Sequence, residues 1–154
     1  MIREVSRAIT FIDDKVILIE RYKKVDGNML HYFTVPGGGV EINETYPEAA
    51  IREMMEETTC QIEIVKELEI EDYPGGICHW YYGKYLSGTP KLGGEEKEHN
   101  NPDNSYEVKL IPFDEIDELP FLGRGKDLIL QCIKEKTSNY EVNPILDTLI
   151  KRSL

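Results

Sequence analysis

The chain is short of cysteine, histidine, long apolar runs and positive charge, and each shortage removes a class of function. Three cysteines, Cys60, Cys78 and Cys132, occur among 154 residues. They are scattered, odd in number and without zinc-ligand spacing, so they read as reduced core thiols. The three histidines, His31, His79 and His99, form no HExxH pattern and read as structural or surface residues. No apolar run approaches the ~20 residues that span a membrane. The opening Met1-Ile2-Arg3-Glu4-Val5 lacks the apolar stretch and small-residue cleavage site of a signal peptide, and a cytoplasmic protein is expected. Lys and Arg number 18 against 29 Asp and Glu, a net charge of -11. Such a surface repels nucleic acid backbones, which disfavours polymer binding, and no nucleic acid partner is expected. A small anionic substrate is compatible with it only where metal ions or a local basic patch reverse the field.

What is present suffices for one domain spanning 1–154, with a core over about 3–137 and a helical tail over 138–154. A chain of this length hides roughly 70% of its unfolded surface. Val5–Ile12 and Val16–Tyr22 alternate as strands around an Asp13-Asp14-Lys15 turn, and Leu30–Val35 reads as a third. Pro36-Gly37-Gly38-Gly39 is expected to break regular structure. A helix follows. Thr45 is its N-cap, Pro47 sits in the first turn and Glu48 at the positive end of the dipole. Further strands are expected over Gln61–Val65, Ile77–Leu86 and Tyr106–Pro112, and a second helix over Gly125–Lys136. The polar stretch 88–104 is long for a loop, which marks it as a lid or a disordered segment. The order is α+β, a mixed sheet with helices packed on it.

On a helical wheel, Arg52, Glu53, Glu56 and Glu57 share one face, and Ala50, Ile51, Met54, Met55 and Thr58 the other. Carboxylates three and four residues apart repel, by a few tenths of a kcal/mol per pair. A solvated acidic face is the commoner meaning of such a run. The alternative is a site for a hard divalent cation, which takes carboxylate and carbonyl oxygens. The glycine run ahead of the helix favours the second reading, because glycines let backbone carbonyls approach a ligand.

Spacing decides between them. From Gly38, five residues lead to Glu44, and seven more to Arg52-Glu53; apolar Met54, one free position and Glu56-Glu57 follow. This pattern resembles the Nudix box at Gly38, Glu44, Arg52, Glu53, Met54, Glu56 and Glu57. The box's closing glycine is Thr59 here and its last apolar position Cys60. A β-branched residue tolerates the left-handed conformation of a helix exit poorly, so the departure bears on how the helix ends. The layout resembles the family domain over roughly 3–137.

The resemblance implies a Nudix-type mixed sheet sandwiched by helices, with a loop–helix–loop metal site. It implies hydrolysis of a diphosphate linkage in a nucleoside diphosphate derivative or triphosphate by metal-activated water, with Mg²⁺ or Mn²⁺ as cofactor. Glu56 and Glu57 are then metal ligands, Glu53 a third ligand or the base, and Gly37 a carbonyl ligand. Glu44 and Arg52 pair and hold the loop to the helix. Arg21, Lys23 and Lys24 are candidates for phosphate, although solvated surface cations are commoner. Tyr32, Phe33, Trp80 and Tyr82 are candidates for stacking on a base, although strand aromatics are more often core. Glu96 or Glu98 of the long loop is a candidate extra carboxylate. A non-catalytic nucleotide-sensing Nudix domain is the alternative, but such relatives lose box carboxylates and none is missing here. An isomerase of isoprenoid diphosphates ranks lower, because no Cys/Glu constellation for it is visible. The nucleotide derivative is left open, as is a homodimer packed through the C-terminal segment.

Overall fold

The computed structural model describes residues 2–94 and 100–136. Glu96, Glu98 and the expected helical tail over 138–154 lie outside the described residues. Strands β1 (Arg3–Ile12) and β2 (Lys15–Val25) form the expected hairpin. They pair only at its closed end, Phe11 with Val16 and Ile12 with Lys15. Beyond that point they diverge and take different neighbours. β3 (Asn28–Thr34) runs antiparallel along Ile19–Val25 of β2. β4 (Gly37–Gly39) runs antiparallel to Val5–Arg7 of β1.

The glycine run is therefore a short strand, not the break expected of it. Only glycine permits so close an approach. A Cβ on Gly37 would fall 2.3 Å from the Ser6 carbonyl oxygen and 2.4 Å from Arg7 Cγ.

β5 (Gln61–Tyr73) and β6 (Gly76–Ser87) form a second hairpin, and β6 lies parallel to β1. β7 (Asn104–Pro112) completes a seven-stranded mixed sheet by pairing with β2. β5 runs eight residues beyond the Val65 expected as its end. Its register shifts three times, between Gln61 and Ile62, Ile64 and Lys66, and Glu67 and Glu69. Each shift breaks the two-residue alternation by which a strand is recognised.

Alternation along the central strands gives the sheet two apolar faces. Val5, Ile9, Phe11, Val16 and Leu18 pack with Phe33 and Trp80 against Leu128, Ile129 and Cys132 of helix α2, described over 125–136. Ala8, Ile17, Ile62 and Tyr81 pack against Ala50 and Met54 of helix α1 (Tyr46–Thr58). The fold is α+β, a mixed sheet with a helix on each face. Cys60, Cys78 and Cys132 are buried, free thiols. No helix of the described residues is long and apolar enough to cross a membrane.

α1 starts as its sequence dictates. Thr45 Oγ1 accepts from the Glu48 N–H, and Glu48 returns the bond to the Thr45 N–H, a reciprocal capping box. Tyr46 donates to Glu4 Oε1 at 2.8 Å and stacks on His79, tying the first turn to the sheet. Two positions depart from the wheel. Met55 is 43% exposed and Glu57 only 7%. At about 100° per residue Glu57 lies next to Ala50, at the margin of the apolar face, and the strand β4 comes up against it. Met55 falls beyond Thr58 on the outer side.

The exit of α1 resolves the Thr59 departure. Thr59 takes the left-handed conformation, φ 60° and ψ 16°, and its N–H bonds to Met55 O. Its hydroxyl donates to Thr89 O at 2.7 Å. Lys91 N–H and Gly93 N–H bond to Thr58 O and Glu57 O, so the following loop satisfies carbonyls that a helix end leaves open. Left-handed strain of about 1 kcal/mol is thus set against a hydroxyl bond of similar worth. Thr59→Gly should accordingly stay within about 1 kcal/mol of wild type. Thr59→Val, which keeps the strain and loses the bond, should lose about 1–2 kcal/mol. Urea unfolding of both variants checks this, and a valine variant as stable as wild type would reject the balance.

Candidate active site

The pairing of β4 with β1 decides which way its backbone faces. Val40 N–H bonds to Glu4 O and Ala8 N–H to Pro36 O, so the hydrogen-bonded pair between them is Ser6 with Gly38. Gly37 and Gly39 consequently turn their polar groups away from β1. Gly37 N–H meets Glu57 Oε1 at 3.0 Å, and Gly39 O accepts from Arg52 Nη2 at 2.8 Å. The Gly37 carbonyl leaves on the same side as its N–H. A side chain at Gly38 would sit 2.6 Å from the Glu53 carboxylate, so this glycine makes room for a functional group of the helix.

Arg52 organises the rest. Its Nε and Nη2 donate to Glu44 Oε2 and Oε1 at 2.7 and 3.0 Å, a two-pronged grip. Its Nη1 donates to Glu53 Oε1 at 2.9 Å and Glu56 Oε2 at 3.1 Å. The Glu44 bonds hold the guanidinium's own proton affinity above its ordinary value, and Glu53 adds to this. The Arg52 bonds hold the Glu44 carboxyl below the usual range. Glu53 behaves in the opposite way. Burial pushes its proton affinity up, with a further push from the Glu56 charge, and outweighs the pull of Arg52. Three carboxylates that would repel on a bare helix are held together by one cation and the glycine strand.

Glu53, Glu57, Gly37 and Gly38 line a cleft of about 680 Å³ that opens where β1 and β2 diverge. Arg21 and Tyr32 line it too. Arg21 lies 3.7 Å over the Tyr106 ring and donates to Ser105 O and Asn104 Oδ1. Glu56 is not on the cleft wall; its carboxylate is half exposed against Arg52. Glu44 stands behind Arg52, on the loop. Lys23 and Lys24 are exposed, while Phe33 is core. Trp80, also buried, reaches the cleft and donates to Glu71 Oε1 at 3.0 Å. A more open hollow over the loop before α1 contains neither Glu53 nor Glu57.

Residues 2–131 match the model of the NUDIX domain. The chain belongs to the NUDIX family. Its fold is similar to that of a NUDIX hydrolase from Nitrosomonas europaea, with 23% identity over 89% of this chain and 73% of that one, at a TM-score of 0.68. It is similar to a MutT NUDIX hydrolase from Burkholderia pseudomallei, with 23% identity over 85% and 98% of the two chains, at a TM-score of 0.59. An ADP-ribose pyrophosphatase from Streptococcus suis is 16% identical over 88% and 92%, at a TM-score of 0.60. At these identities the likeness is one of fold.

Several cleft residues of this NUDIX chain escaped the sequence reading, among them Arg3, Arg7, Glu71, Tyr73 and Tyr106. Arg7 left the clearest signal, a charge in the middle of the buried run Val5–Phe11, yet no motif marks it. The Arg52–Glu44 grip yields a pH test. The Glu44 proton affinity is lowered on folding, so its stabilising effect is present above the unfolded carboxylate range and fades as pH falls through the lowered value. Glu44→Gln should cost about 1 kcal/mol at neutral pH, a charge-assisted bond discounted for partial exposure. The deficit should shrink on acidification below the ordinary carboxylate pKa. Denaturation curves at pH 7 and pH 3 check the sign; a deficit that grew in acid would contradict the assignment.

Proposed function

We propose that the protein hydrolyses a phosphoanhydride linkage in a nucleoside diphosphate derivative or triphosphate, with a divalent cation, Mg²⁺ or Mn²⁺, as cofactor. The observation that carries this reading is the convergence of Glu53, Glu57 and the glycine strand on the wall of a cleft that also presents arginines. Membership of the NUDIX family supports it, as do the folds shared with a MutT hydrolase and an ADP-ribose pyrophosphatase.

The donor set fits a hard cation. Among the described residues no three acidic, histidine or cysteine side chains already stand close enough to hold an ion alone. Magnesium does not require that, because it keeps several waters and shares one or two carboxylates with substrate phosphates. Zinc would want several histidines or cysteines at the site, and among the described residues the cleft lining holds one such side chain, the buried Cys78. Glu57 and the Gly37 carbonyl, on the cleft lining, are the groups that would hold the ion, and Glu56, bonded to Arg52 off that lining, would join them on turning toward it. When bound, it neutralises phosphate charge and lowers the pKa of attacking water. The protein's own residues do the rest. Glu53, on the cleft lining and oriented by Arg52, takes the proton of the attacking water. The water oxygen joins one phosphorus and the bridging oxygen leaves with the other. Arg52 keeps Glu53 oriented, and Gly37 N–H fixes Glu57. The substrate is a small nucleotide, in keeping with the acidic surface, and the setting is cytoplasmic.

Diphosphate compounds incubated with Mg²⁺ or Mn²⁺ should release phosphate, pyrophosphate or a nucleotide, and EDTA should abolish the release. Glu57→Gln keeps an acceptor for Gly37 N–H and should fold normally, yet lose on the order of 10²-fold or more in activity. Mg²⁺ should raise the melting temperature of wild type more than that of the variant, as mass action requires. Glu67→Gln, on β5, is the control. Full activity in chelator, or equal kcat/KM in Glu57→Gln and wild type, would end the proposal. Nucleotide-dependent stabilisation without turnover of any compound would favour a nucleotide-sensing domain.

A further inference from the structure

The arginines of the described residues divide into two kinds. Arg52 grips Glu44, and Arg124 grips Glu69 at 2.8 and 2.9 Å. Arg3, Arg7 and Arg21 pair with no carboxylate of the described residues, and all three line the same cleft. In a chain with 29 acidic side chains against 18 basic ones, three arginines without an ion pair collected along one cleft, beside Glu53, Glu57 and Glu71, form a distinct feature.

Arg7 is the most constrained of the three. β1 places it opposite Gly37 on one side and Trp80 on the other. Its Cγ lies where a Gly37 side chain would stand. Its Nη1 donates to Val35 O at 2.7 Å and Thr34 Oγ1 at 3.3 Å, which anchors the guanidinium on neutral acceptors. The nearby Cys78 thiol is no counterion, since burial pushes its pKa up to about 11. Across Gly37 from Arg7 stands Glu57, bonded to the Gly37 N–H. A fixed positive charge and the metal-site carboxylates thus flank one glycine. Holding a guanidinium in a partly buried cleft without a charged partner is costly, and an anionic ligand relieves that cost with charge-assisted bonds.

We propose that Arg7 is a substrate-contacting residue, binding a non-bridging phosphate oxygen beside the Glu53–Glu57 wall, with Arg3 and Arg21 extending the same cationic surface along the cleft. The proposal rests on the phosphoanhydride-hydrolase reading for its substrate, but not for its anion. Its geometry separates the two tasks. The carboxylates hold the cation, and Arg7 holds the phosphate directly, so its contribution does not need the metal.

Trp80, the only tryptophan in the chain, lines the cleft and reports on occupancy by its fluorescence. Inorganic pyrophosphate is titrated into wild type, Arg7→Gln, Arg7→Lys, Glu57→Gln and Arg124→Gln, with Mg²⁺ and with EDTA. Loss of a charge-assisted contact should weaken binding to Arg7→Gln about tenfold or more in both conditions. Arg7→Lys should fall between, and Arg124→Gln should match wild type. Glu57→Gln should lose only the strengthening that Mg²⁺ brings. With a turned-over substrate, Arg7→Gln should raise KM more than it lowers kcat. A folded Arg7→Gln that binds pyrophosphate like wild type in both conditions overturns the proposal. So does an Arg7→Lys protein no better than Arg7→Gln. Binding that depends on Arg7 but gains nothing from Mg²⁺ in wild type upholds the Arg7 site and counts against the hydrolase reading instead.

Discussion

The site depends on one guanidinium. Arg52 alone contacts Glu44, Glu53, Glu56 and the Gly39 carbonyl, all between 2.7 and 3.1 Å. Without it, α1 would carry carboxylates three and four residues apart with nothing to offset their repulsion. The same contacts tie the loop after the glycine strand to the helix, so loop and helix are held in a single geometry. A lysine at this place has one ammonium on a flexible stem and cannot present a planar fork to several acceptors at once. Glu44 takes the two-pronged part of the fork, which leaves Nη1 to orient Glu53. Arg52 thereby sets the orientation of the Glu53 carboxylate on the cleft lining.

Where this network sits is a consequence of how the sheet parts. β1 and β2 stay paired for only two residue pairs and then separate. β4 fills the released edge of β1 and β3 that of β2. Glycine at the first two positions of β4 suits the first edge, because side chains at Gly37 and Gly38 would strike the Ser6 carbonyl and the Glu53 carboxylate, while one at Gly39 would meet open space. The gap between the diverging strands becomes the cleft, and the outward peptide edges of β4 bring backbone groups to the wall where the helix carboxylates stand. The sheet thus supplies both the cavity and part of its polar lining. The loop beyond β6 acts at the far end of α1, where Lys91 and Gly93 close its open carbonyls.

Much of this was legible in the chain. Helix α1 announces itself through Thr45, Pro47 and Glu48, and the spacing from Gly38 to Glu57 specifies which side chains meet the glycines. Other features depend on partners that no local pattern shows. Glu57 reads as a solvated acid on a wheel, and only the arrival of β4 buries it. The length of β5 was hidden because its bulges interrupt the alternation. Thr59 looked like a damaged helix exit. Its hydroxyl finds Thr89 thirty residues away, a contact that offsets the strain of the left-handed turn. Arg7 stood in plain view in a buried strand, but its meaning comes from Gly37 across the ladder.

The net charge of -11 bears on the whole surface, yet a bound anion feels mainly its neighbours. At physiological salt the screening length is about 8 Å, so exposed carboxylates on distant strands contribute little inside the cleft. A long polyanion would have to lie against much of that acidic surface, whose charge opposes its approach. A small anion enters a local field set by Arg3, Arg7 and Arg21 on one side and the helix carboxylates on the other. Those carboxylates alone would repel a phosphate, and the arginines alone would hold it without activating water. On the proposed function, placing both around Gly37 would let a cation and a phosphate share one site, each drawn by the group of opposite sign. On the proposed function the two features act together: the acidic surface would limit the size of the anion that approaches, and the cleft arginines would bind the one that fits, beside Glu53, Glu57 and Glu71 of the same lining.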